Sequence, residues 1–201
     1  FERPGFDPTR VRERVYLNVQ ADQAPDVMEF VVRNIVDDPS VPGVQMAKIS
    51  GPRAVGGRAD AIVIYLDDTA AAETVLARLR QYQQSGVRGF RPGGPALTEE
   101  VMEGVSVSQE SAAMHRGASF GTVRSRAVYN ALRDTTAAGG GREQFIDRVR
   151  ELLRASGVNP EAPHLNLPAA PAGPPPPPGG GIGGTPVMPA LLLGQGSRDD
   201  R

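Results

Sequence analysis

The residues able to do chemistry are few in this chain, and one of them stands apart. "GVQMAKISGP", residues 43–52, contains Lys48, the one lysine among 22 basic residues. GC-rich coding favours arginine and accounts for the skew, but not for the one exception. A lysine sheds its proton when desolvated or beside other cations, and a guanidinium does not. Lys48 therefore has two readings, a general base or a strand-edge lysine whose amine snorkels to water. A second cluster is "SFGTVRSR", residues 119–126. Hydroxyls, a glycine and arginines at a helix start suit an anion, above all phosphate. Arg124 and Arg126 lie roughly 200° apart around such a helix. Arg124 flanks the apolar stripe and is expected to point inward, with Arg126 outward. The alternative is an ordinary helix capped by Ser119 or Thr122. Arg58, in the turn "GPRAVGGR", either reaches a ligand at the sheet end or is solvated. His115 and His164 are the only imidazoles, each a candidate acid or a surface histidine. Tyr16 and Tyr65 lie on strands, where packing is the usual role of a tyrosine.

Composition limits the rest. The chain has 201 residues, no cysteine, two histidines and a net charge of −1. Disulfides, thiolate metal sites and cysteine nucleophiles are excluded, and a reducing cytoplasmic setting is expected. No metal or cofactor is expected. Nor is nucleic acid, which calls for broad positive charge. No apolar run reaches the ~18 residues of a membrane span, and no signal peptide is visible. The first residue is Phe1, so the sequence reads as a piece of a longer chain.

These groups must be positioned by elements that the periodicity outlines. Residues 1–10 are a proline-bearing lead-in. "RERVYLNVQ" (12–20) alternates, with Val15, Leu17 and Val19 on one face and Arg14, Tyr16 and Asn18 on the other. It reads as a strand with one buried side. Asp22 is the expected cap of a helix whose stripe runs through Val27, Val31 and Ile35. Residues 43–50 form a second strand, on which Lys48 shares parity with Val44 and Met46. "DAIVIYL" (60–66), apolar on both faces, reads as a central strand. Asp67 or Asp68 caps a second helix. "ALTEEVMEGVSVSQES" suggests a helical turn and a short strand after a glycine-rich loop. A third helix ends near Asp134, and a fourth stops at Gly157. The expectation is an α+β fold, a small twisted and mostly antiparallel sheet with helices packed on it, over residues 11–166. From 167 to 201 the chain is proline- and glycine-rich and reads as a disordered tail.

Taken in order, "RVYLNV", "VPGVQMAKISGP", "GGRADAIVIYL", "SFGTVRSR" and "GVNPEAPHLN" resemble the HopA-type effector family, over about residues 10–166. That family is named for a type III effector of plant pathogens. It has actinobacterial relatives encoded beside kinases in lanthipeptide gene clusters. It is more distantly similar to phosphothreonine lyases, which eliminate phosphate with a lysine base, a histidine acid and arginines on the phosphate. The resemblance implies Lys48 as base and Arg58, Arg124 and Arg126 around phosphate, with Ser119 at the helix start beside them. It puts Tyr16 where the acid histidine stands, which leaves three alternatives: Tyr16 supplies the proton, His164 folds back to supply it, or the acid is dispensable. The implied reaction is loss of phosphate from phosphoserine or phosphothreonine in a peptide, with a partner kinase supplying the substrate. Two further readings stand beside it. One is a non-catalytic module docking a kinase, a leader peptide or a host protein; the other is an inactive fragment that needs its missing N-terminal part.

Overall fold

A computed structural model describes residues 1–111 and 118–168. The proline-rich tail and His115 lie outside these residues. Five strands form one antiparallel sheet: β1 (Glu13–Leu17), β2 (Val44–Ile49), β3 (Ile62–Leu66), β4 (Glu99–Met102) and β5 (Val105–Gln109), in the order β2-β3-β1-β5-β4. Four helices accompany it: α1 (Ala24–Val31), α2 (Thr69–Gln84), α3 (Phe120–Ala137) and α4 (Arg142–Ala155). The expected α+β architecture is present.

Local chemistry accounts for most element ends. Asp68 caps α2 by accepting the Ala71 N–H at 2.8 Å, and Ser119 caps α3 by accepting from Thr122. Gly157 follows α4 with φ +76°, a conformation that favours glycine. The expected Asp22 cap is not used: α1 begins after Gln23, which makes no side-chain cap. The end of α1 widens into a π-helical turn, Val32–Val36, that keeps Ile35 and Val36 buried. Arg3 holds the chain beyond it, donating to the carbonyls of Val36, Asp38 and Val41 at 2.8, 2.6 and 2.8 Å.

The helical turn expected in residues 96–103 is instead the first arm of a β4–β5 hairpin turning at Gly104, φ +66°. A Cβ on Gly104 would stand 2.5 Å from the Arg91 carbonyl, so the turn admits only glycine. The hairpin wins because Val105 and Val107 find the sheet core, which a lone helical turn could not reach.

The larger core lies on one face, where Val15, Leu17, Ile62, Ile64 and Ala47 meet α1 and α2. The other face carries a smaller cluster, Tyr16, Val63, Tyr65 and Phe120, with Met46 and Leu97 against it. β1, expected to have one buried side, is buried along both. It is the central strand, flanked by β3 and β5. Its polar face is closed by internal partners, not opened to water.

Candidate functional site

Strand register places the candidate residues on that second face. Lys48 lies opposite Val63, Val63 opposite Tyr16, and Tyr16 opposite Ser106, so one row crosses four strands. The neighbouring row runs Met46, Tyr65, Arg14, Ser108. With strands about 4.8 Å apart, Lys48 and Tyr16 have backbones about 10 Å apart, and their side chains project from the same face. The Lys48 ammonium sits 5.3 Å from the Tyr65 ring centre and the Arg14 guanidinium 4.6 Å from the same ring. Lys48 is exposed, whereas Tyr65 and Arg14 are buried.

Behind Tyr65 lies a buried polar cluster. Arg14 pairs through Nη2 with Glu110 Oε2. The Tyr16 hydroxyl and Ser108 Oγ are 3.1 Å apart and share a hydrogen bond. Arg124, only 1 % exposed, descends from the second turn of α3. It lies over the Phe120 ring at 3.8 Å and donates from Nε to the Pro163 carbonyl at 2.5 Å. Phe120 in turn touches Tyr16, with ring centres 6.1 Å apart.

The electrostatics follow from burial. Burial pulls Arg124 down to about 10, with Arg14 adding to the effect and Tyr16 and Glu110 opposing it. Burial is the largest single influence on Arg14 and pulls it down, but Glu110, Tyr16 and Tyr65 together outweigh it and hold the guanidinium above its ordinary value. Burial pushes the Tyr16 phenol up against the pull of Arg14, so it keeps its proton. Two guanidiniums face one carboxylate, which leaves one positive charge in excess in a desolvated place. Among the described residues, Arg14 Nε, Arg124 Nη1 and Ser106 Oγ have no hydrogen-bond partner, and neither do the acceptors Asp67 Oδ1 and Glu110 Oε2, the latter in ion-pair contact with Arg14. Unpaired buried donors are costly and rare. An anion beside Arg14 and Arg124 would offset the excess charge.

The other sequence candidates fall elsewhere. Arg58 is exposed and forks onto Asp60 at 2.8 and 2.7 Å. Its hydrogen bonds hold the Asp60 carboxyl below the usual range, and Lys48 adds a smaller pull. Arg58 thus stands near Lys48 but is engaged. Arg126 is exposed on the solvent side of α3. Ser119 is occupied as the helix cap. His164 pairs with Glu99 at 2.8 Å, and Glu99 lies opposite Val107, on the face away from Tyr16. There it lines a separate cavity of about 160 Å3 with Glu13, Thr69 and Glu73. Of the two candidate acids, only Tyr16 shares a face with Lys48. No group of three His, Asp or Glu side chains among the described residues could hold a metal ion, and no described helix is long and apolar enough to cross a membrane.

Arg14, Glu110 and Tyr65 were not picked out by sequence reasoning as site residues. The signal was present in "VSVSQE", where Ser106 and Ser108 alternate with Val105 and Val107 and Glu110 continues the same parity. That parity matches Arg14, Tyr16 and Asn18 across β1.

Comparisons agree with this architecture. The model of the HopA1 effector protein family matches residues 4–165. Among solved structures, the chain is similar to an effector protein from Pseudomonas syringae pv. tomato strain DC3000. The two share 24% identity and a TM-score of 0.62, over 84% of this chain and 60% of that one. An effector protein from Pseudomonas syringae pv. syringae strain 61 gives 20% identity and a TM-score of 0.58, over 83% and 60% of the respective chains. At these identities the likeness is one of fold. The chain spans about 60% of the length of each of these structures. No curated protein matches the sequence.

Proposed function

The chain belongs to the HopA1 effector protein family, and from that premise we propose that it eliminates phosphate from phosphoserine or phosphothreonine in a peptide. The observation that carries this reading is the buried excess of guanidinium charge, with unpartnered donors on Arg14 and Arg124, on the sheet face that also bears Lys48 and Tyr16. The phosphate enters between Arg14 and Arg124. The amine of Lys48 takes the Cα proton. The electrons form the Cα–Cβ double bond, the Cβ–O bond breaks, and the phosphate departs with both oxygen-bond electrons. The guanidiniums stabilise the charge that builds on it, and the Tyr16 phenol, still protonated, donates to the leaving oxygen. Arg58 and Arg126 take no part in this arrangement. A partner kinase supplies the phosphorylated peptide, and the setting is cytoplasmic.

Mass spectrometry of phosphoserine and phosphothreonine peptides tests the reading. The wild-type protein removes the mass of phosphoric acid. Lys48→Ala and Lys48→Arg lower that rate by about 100-fold or more, in line with a lost general base, and still bind the peptide. Normal turnover by Lys48→Ala would sink the idea. A second reading, a phosphopeptide-binding module without turnover, is favoured by the exposure of Lys48. It requires retention of the peptide with no mass loss, unchanged by Lys48→Ala.

A further inference from the structure

Glu110 is a buried carboxylate that makes no contact with the proposed substrate position, yet it touches Arg14 and the first residue of α3. Its Oε2 pairs with Arg14. Its Oε1 accepts the backbone N–H of Phe120 at 2.8 Å and that of Ser111 at 2.8 Å. Its own backbone is pinned on both sides, by N–H donation to the Arg12 carbonyl at 2.6 Å and by acceptance from Asn166 Nδ2 at 2.7 Å. Phe120 opens α3, and its ring is the surface on which the Arg124 guanidinium lies and against which Tyr16 packs. One rigidly held carboxylate therefore reaches Arg14 directly and Arg124 and Tyr16 through Phe120.

We propose that Glu110 is the positioning residue of the phosphate site, orienting the guanidiniums of Arg14 and Arg124 toward one shared anion. The inference rests on the reading of this face as a phosphate site. A carboxylate facing cations in an anion site works against affinity by its charge. Its presence is accounted for by geometry: two long arginine side chains lose their shared aim without a fixed partner. The charge of Glu110 and its role as acceptor are separable. Glu110→Gln keeps an oxygen for the Phe120 N–H and removes the ionic hold on Arg14. Glu110→Ala removes both.

The experiment compares wild type, Glu110→Gln and Glu110→Ala, after thermal unfolding establishes which are folded. Each is titrated with inorganic phosphate by calorimetry, and arginine side-chain nitrogen spectra report rotation about the guanidinium bonds. Glu110→Ala is expected to bind phosphate about ten-fold or more weakly, and Glu110→Gln within about three-fold of wild type, since loss of the opposing charge offsets a looser Arg14. Rotation of the Arg14 guanidinium, slowed in wild type, becomes free in both variants. In the peptide assay, Glu110→Gln lowers kcat by about ten-fold or more while KM stays near wild type, a split that a merely structural role would not produce. The proposal is overturned if folded Glu110→Ala binds phosphate as wild type does, if Arg14 rotation is the same in wild type and Glu110→Gln, or if wild type binds no phosphate. Should Glu110→Ala fail to fold, the Arg14 spectrum of Glu110→Gln decides. Absence of elimination in wild type would remove the lyase reading alone, because the phosphate titration and the spectra do not depend on turnover.

Discussion

Arg124→Met separates holding an anion from holding the fold. Keeping the Arg124 guanidinium charged at a site only 1 % exposed has a cost. Burial holds its pKa down to about 10, well below an ordinary guanidinium, which corresponds to about 3 kcal/mol at 1.36 kcal/mol per unit. Methionine removes that cost and fills similar space. Against this stand the lost hydrogen bond to the Pro163 carbonyl, worth about 1.5–3 kcal/mol, and the stacking on Phe120, worth about 1–2 kcal/mol. The opposing contributions nearly cancel, and the net change is within about 2 kcal/mol. For a domain of this size that is a melting shift of no more than about 8 °C. Ligand response is affected differently. At 100 times its Kd, phosphate is expected to stabilise wild type by about 2.7 kcal/mol, or about 5–10 °C, and the variant to lose this shift. Differential scanning calorimetry with and without phosphate reads both numbers. A fall of more than about 15 °C without ligand, or an undiminished phosphate shift in the variant, would refute the reasoning.

Two other outcomes are expected. Arg3→Ala removes the donors that tie the carbonyls of Val36, Asp38 and Val41; a loss of about 3 kcal/mol is expected, and an unchanged urea midpoint would contradict it. Glu13 is buried beside Thr69, and burial raises its carboxyl above the ordinary value of 4.5. A raised acid gives stability that is present below the unfolded value and lost as pH rises through the folded one. Glu13→Gln should therefore melt above wild type at pH 7 and level with it near pH 4; a difference independent of pH would exclude this cause.

The alternation in "RERVYLNVQ", the apolar run "DAIVIYL" and the cap at Asp68 were legible because each is a local rule, a period or a hydrogen bond a few residues long. The parity of Lys48 with Met46 and the inward turn of Arg124 were legible for the same reason. The short strand β5 was legible too, but its partner β4 was not, because "TEEVMEG" carries no strand signal until Val105 and Val107 have a core to enter.

By itself, the sequence determined which side chains share a face of each element and which chemistry was unavailable: no thiols, two imidazoles, one amine among the cationic side chains. It could not determine which faces meet. Whether Arg58 reaches a ligand was open along the chain, and the structure forks it onto its own neighbour Asp60 in solvent, while Arg124 is buried against Phe120. Tyr16 and His164 were equal candidates until the sheet separated them onto opposite faces. Glu110 acquires its place only when β5 pairs with β1 and brings it to Arg14. Whether a charge is spent, buried or left in excess depends on partners distant in sequence, because Coulomb and desolvation energies are set by separation in space.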